Sequence, residues 1–212
     1  MSEATDGSLL IVCAANVCRS PFAAFLFSQA LPDMSVSSLG ATARDGDPLC
    51  RFTEERISAL PDGEAFASEH RAARLDAESV ASADLILTAS AAERSAVAGL
   101  DPYARPRVFT LVEAAHSART LGADARGISL AELAARMHAQ RGMVDLPPVR
   151  RRRRFSPLRA QYGIAIPDAH IGDTGTHDEV YRTLSDAVSM FADAYSGPEA
   201  HVASIEQPQR RG

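Results

Sequence analysis

A short apolar run, Leu9-Leu10-Ile11-Val12, ends in Cys13, and the chain then turns through a seven-residue loop, Cys13 to Arg19, into Ser20-Pro21. An apolar run of this length has the form of a strand buried on both faces of a parallel sheet. Ser20-Pro21 reads as a helix start, with Ser as N-cap and Pro at the first helical position. Phe22 to Leu31 continues that helix and is apolar nearly all round, so it belongs inside. A strand, a tight loop and a buried helix leave few folds open.

The loop has its own chemistry. Its backbone N–H groups can wrap one tetrahedral anion. The helix that follows adds unpaired N–H groups and the positive end of its dipole. Arg19 supplies a planar fork for two equatorial oxygens. The same field favours a thiolate at Cys13, and Ser20 can donate a hydrogen bond to it. Asn16 tolerates the left-handed backbone that so tight a loop demands.

Three further segments read as strands: Ser35 to Ser38, closed by Gly40; Asp84 to Thr88; and Arg107 to Leu111. Helices are expected from Thr53 to Leu60, stopped by Pro61-Asp62-Gly63, and from Ala91 to about Ala98 behind Ser90. Two more run from Leu130 to about Arg141 behind Ser129, and from His177 to about Tyr195. In the last, Val180, Leu184, Val188 and Phe191 recur at helical spacing. The alternation implies an α/β fold with a parallel sheet, helices on both faces and right-handed crossovers. One domain is expected over residues 1–196, with about 116–165 an elaborated or inserted connection and 197–212 a disordered tail.

Composition sets limits on function. A net charge of −5 argues against a general nucleic-acid binder. No apolar run approaches the roughly 18 residues of a membrane span. The polar, acidic start and only three cysteines point to a reduced, cytoplasmic protein. All 22 cations are Arg, and Arg150 to Arg154, with Arg159 nearby, form a run. It reads either as a solvated loop or as a docking patch for an acidic partner. Cys50 has no evident partner and reads as a lone thiol. The six histidines, at 70, 116, 138, 170, 177 and 201, show no metal-ligand spacing with the cysteines, so no metal is expected.

The loop resembles that of the low-molecular-weight protein tyrosine phosphatase family, which reads Cys-x-Gly-Asn-x-Cys-Arg-Ser-Pro after an apolar strand. Cys13, Asn16, Cys18, Arg19, Ser20 and Pro21 match, and Ala15 stands where the family usually has Gly. Ser37 to Thr42 and Ala83 to Thr88 are similar to later stretches of the family, so the likeness spans about 8–112 and 164–195. The resemblance implies a three-layer fold: a four-stranded parallel sheet between helices, with a phosphate-binding loop after the first strand. It implies Cys13 as nucleophile. Phosphate would be bound by Arg19 and by the loop Ala14, Ala15, Asn16, Val17, Cys18 and Ser20. It implies an acid late in the chain, from an Asp-Pro-Tyr loop. The literal Asp101-Pro102-Tyr103 precedes the fourth strand, the wrong place by order. Asp168 directly precedes the final helix and is preferred as general acid and base; Asp101, Asp173 and Asp178 are the alternatives.

The same resemblance makes Cys18 a redox partner for Cys13 and puts Arg44 and His170 near pocket-wall positions. It implies a phosphotyrosine protein substrate, with a bacterial tyrosine kinase as one such partner, and no cofactor. Two other functions fit the loop. One is an arsenate reductase coupled to a small-molecule thiol. The other is a non-catalytic phosphopeptide-binding module, motivated by Ala15.

Overall fold

Leu9 to Val12 are all buried, and they alternate between two cores as a strand's period of two requires. Leu9 and Ile11 face one core with Leu85, Leu87 and Phe109; Leu10 and Val12 face the other with Ile86 and Val108. The computed structural model describes residues 7–147, 163–170 and 176–197. Arg150 to Arg154, Arg159, Asp173 and the expected tail after Gly197 lie outside those residues.

The elements in order are β1 (Ser8–Cys13), α1 (Arg19–Ala30), β2 (Ser35–Gly40), α2 (Arg51–Ser58), α3 (Gly63–Glu69), α4 (Ala77–Ser82), β3 (Leu85–Thr88), α5 (Ala91–Leu100), β4 (Val108–Thr110), α6 (Leu111–Leu121), α7 (Leu130–Ala139) and α8 (His177–Ser196). All strand pairs are parallel, in the order β2-β1-β3-β4. The larger core packs α1, α6, α7 and α8 on one face of the sheet. The smaller one packs Val80 of α4, Val97 of α5 and Ala104 on the other. The three-layer α/β fold with four parallel strands is therefore as expected.

Several local readings change. Ser20 is not the N-cap: α1 begins at Arg19, and no side chain caps it. The Ser20 hydroxyl is committed to Cys13 instead. The strand expected at Arg107 to Leu111 shortens to Val108–Thr110 because Thr110 starts a helix. Its hydroxyl accepts from the Glu113 N–H at 3.2 Å, and the Glu113 carboxylate accepts from the Thr110 N–H at 3.3 Å. Helices α3, α4 and α6 add to the elements that the sequence pattern implies. Asp101 caps a 3-10 turn over Pro102–Arg107 and pairs with Arg107 at 3.1 Å.

Helix α7, inside the expected elaborated connection, inserts Leu130, Leu133, Ala134 and Met137 into the larger core. Leu133→Ala is therefore expected to cost about 2–5 kcal/mol, as for a core leucine. Denaturant unfolding checks this; a cost under about 0.5 kcal/mol would mark α7 as peripheral.

Candidate active site

Cys13 closes β1 opposite Gly40 of β2, at the carboxyl edge of the sheet, where open α/β sheets place ligands. Its sulfur accepts two hydrogen bonds, from the Asn16 N–H at 3.2 Å and the Ser20 hydroxyl at 3.0 Å. Both stabilise negative charge on sulfur. The N-terminus of α1 adds to this: no side chain caps it and its first turn holds no acid.

Asn16 holds the loop in shape. Its φ is +56°, left-handed, and it is wholly buried. Its amide nitrogen donates to Ser20 Oγ at 3.0 Å and to Ser38 Oγ at 2.9 Å, while its amide oxygen accepts from the Ala73 N–H at 3.0 Å. Its backbone carbonyl accepts from His70 Nε2 at 2.8 Å, which fixes the histidine tautomer. Burial pushes the His70 pKa down. Ala15 is exposed and has no left-handed backbone: among the described residues only Asn16 and Asp62 are non-glycine residues with positive φ. Beside the loop, glycine is required at Gly40. A Cβ there would stand 2.8 Å from the Ala14 carbonyl oxygen and 2.9 Å from the Ala15 carbonyl carbon.

Arg19 is buried among acceptors. Its Nη2 meets the Asp168 carboxylate and lies 3.7 Å from Glu93, and its Nη1 donates to the Ile166 carbonyl at 3.4 Å. The segment carrying Asp168 is fixed by the Ile166 N–H, which donates to the Ala89 carbonyl after β3 at 2.8 Å. Asp168 also accepts from the His170 N–H at 2.9 Å. Order in the fold thus puts Asp168 beside Cys13's loop. Asp101 is occupied at its 3-10 turn, and Asp178 stands in the first turn of α8. Glu93 was not foreseen, although Ser90-Ala91-Ala92-Glu93 is a capping-box pattern. Its carboxylate accepts from the Ser90 hydroxyl and is 5% exposed. Arg44 is exposed and 3.9 Å from Asp47, so its role as a pocket wall rests on the resemblance alone.

Cys50 departs from expectation. The sulfur of Cys18 lies 4.0 Å from the Tyr181 hydroxyl and close to that of Cys50, so Cys50 is not a lone thiol. The neighbouring Cys50 thiol, with burial, raises the Cys18 pKa, and the neighbouring Cys18 thiol, with help from Thr53, lowers that of Cys50.

A family model described as low molecular weight phosphotyrosine protein phosphatase matches residues 8–125, which include the whole Cys13 loop. The chain belongs to this family. It is 36% identical over 106 residues to the probable low molecular weight protein-tyrosine-phosphatase EpsP of Ralstonia nicotianae, covering 50% of this chain and 71% of EpsP. Among solved structures it is similar to the tyrosine phosphatase amsI of Erwinia amylovora, with a TM-score of 0.58 and 20% identity over 89% of this chain and 93% of that one. It is equally similar to the YwlE arginine phosphatase of Geobacillus stearothermophilus, with a TM-score of 0.57 and 19% identity over 88% and 91%. These two likenesses establish the fold of the chain. Since one is named a tyrosine phosphatase and the other an arginine phosphatase, the fold leaves the substrate to the site.

Glu93 and Asp168 share Arg19, so Glu93→Gln should loosen the guanidinium without removing it. A fall of about 10–100-fold in kcat/KM for an aryl phosphate is expected, with the fold intact by circular dichroism. An unchanged kcat/KM would show that Glu93 does not position Arg19.

Proposed function

We propose that the protein hydrolyses phosphotyrosine, and aryl phosphate monoesters generally, through a phosphocysteine on Cys13. The observation that carries this is the doubly hydrogen-bonded Cys13 sulfur in a loop that ends in a buried arginine beside Asp168. The incoming phosphoryl group takes the Arg19 fork and the loop N–H groups. Cys13 Sγ attacks phosphorus along the line of the leaving oxygen. The P–O bond breaks, a P–S bond forms, and the Asp168 carboxyl gives its proton to the phenoxide. Asp168 then accepts a proton from water, whose oxygen attacks phosphorus. Phosphate leaves and the Cys13 thiolate is restored. Arg19 and the loop of residues 14–20 hold the equatorial oxygens through both steps.

Asp168 lies on Arg19 in the structure, so substrate phosphate must displace that carboxylate from the guanidinium. The displaced group stays at the rim, held by the anchored Ile166 backbone. His170, exposed at the same rim, is our candidate pocket wall. The protein substrate we infer is a phosphotyrosine protein such as a bacterial tyrosine kinase, supported by the family. The enzyme is read as cytoplasmic, in keeping with free thiols at Cys13, Cys18 and Cys50. No helix among the described residues is long and apolar enough to cross a membrane. Ala15, the motive for a non-catalytic binding module, leaves the loop undistorted. Arsenate is a tetrahedral anion that the same Cys13 and Arg19 loop can hold, so arsenate reduction coupled to a small-molecule thiol is the second reading.

With an aryl phosphate substrate, Cys13→Ser should abolish turnover and Asp168→Asn should lower kcat by about 10²–10⁴-fold. An inert wild type that reduces arsenate in the presence of a small-molecule thiol would replace the phosphatase with the second reading.

A further inference from the structure

Four side chains of the described residues meet beside the phosphate loop. The sulfurs of Cys18 and Cys50 and one ring nitrogen each of His170 and His177 all lie within 4.8 Å of one another. They come from separate places: Cys18 precedes α1, Cys50 precedes α2, His170 follows Asp168 by two residues, and His177 opens α8. A backbone bond from the Cys50 N–H to the Val17 carbonyl, 2.9 Å, ties the first two segments together.

We infer that Cys18, Cys50, His170 and His177 form a tetrahedral site for one zinc ion. Two thiols and two imidazoles are the donor set of a closed zinc site and a poor one for magnesium or calcium. Around zinc, bonds of about 2.0–2.3 Å put donors roughly 3.3–3.8 Å apart. The four atoms need to close by at most about 1–1.5 Å, which side-chain rotation supplies. Two thiolates neutralise the dication. The groups that orient the ligands are already in place. Thr53 Oγ1 is 3.1 Å from the Cys50 sulfur and 2.9 Å from the Tyr181 hydroxyl, which in turn lies 4.0 Å from the Cys18 sulfur. The Phe52 ring packs on the His177 ring at 4.3 Å, and the His170 and His177 rings meet edge to face at 4.9 Å. Cys18 is buried, Cys50 and His177 are half-buried, and His170 is exposed, so metal has a way in. Bound zinc joins the residue before Arg19 to the segment that carries Asp168, and so fixes the acid loop against the phosphate loop.

The test uses the full chain, kept reduced with a phosphine that does not bind metal, and titrated with zinc or cobalt alone. One equivalent of zinc should bind. The cobalt form should show a thiolate-to-metal charge-transfer band with tetrahedral ligand-field absorption. Cys50→Ser and His177→Ala, each with wild-type circular dichroism, should weaken zinc at least about 100-fold. The zinc-dependent rise in Tm should vanish in the double variant. Cys13→Ser should keep the band. A reduced wild type with no band, a band lost in Cys13→Ser, or unchanged affinity in Cys50→Ser overturns the inference. So does a Cys18–Cys50 disulfide found by peptide mapping in protein that takes up no metal once reduced.

Discussion

The buried amide of Asn16 is the interaction on which the site depends. A loop that curls around one sulfur must turn its backbone sharply, and here the turn falls at a left-handed residue. An isolated left-handed residue costs roughly 1–2 kcal/mol, less for Asn than for most. Three side-chain hydrogen bonds, to Ser20, Ser38 and the Ala73 backbone, offset that cost and connect the loop to α1, to β2 and to the segment before α4. The Asn16 N–H is thereby aimed at Cys13, and the Ser20 hydroxyl, which accepts from Asn16, is left to donate to the same sulfur. Gly40 completes the arrangement by letting the loop carbonyls approach β2.

Arg19 is the second constraint. A guanidinium this buried is stable only with charged partners. Glu93 and Asp168 provide them, from α5 and from the segment before α8, so the phosphate site is tied to the far end of the chain. A phosphate dianion can replace Asp168 on Arg19 while Glu93 stays. In the proposed mechanism one carboxylate then holds the arginine and the other is released to the leaving oxygen. On that proposal the shared guanidinium couples binding to the placement of the acid.

Much of this was legible in the sequence because it is local. The apolar strand, the Cys13-to-Arg19 spacing and the Pro21 helix start lie within a few residues, and Asn16 announces its own backbone. Asp168 was legible only by order along the fold, since the Asp-Pro-Tyr tripeptide itself stands at Asp101. Helix α6 was hidden because Val108 to Leu111 is apolar enough to read as a strand; the Thr110–Glu113 reciprocal cap was its one signal. The assembly of Cys18, Cys50, His170 and His177 has no sequence spacing at all. It arises because the two cysteine segments pair through backbone and α8 packs against α1, a consequence of topology. Glu93 lay in a capping pattern, which gave no hint that its second oxygen faces Arg19.

The claim at the centre is that Cys13 carries the phosphoryl group. Rapid quenching of Asp168→Ala with an aryl phosphate whose phenol is acidic enough to leave unprotonated, followed by mass spectrometry of the peptide that contains Cys13, tests it most directly. A phosphoryl adduct on Cys13, formed in step with the burst of released phenol, is the predicted result. Turnover without that adduct, or an adduct on another residue, would contradict the account.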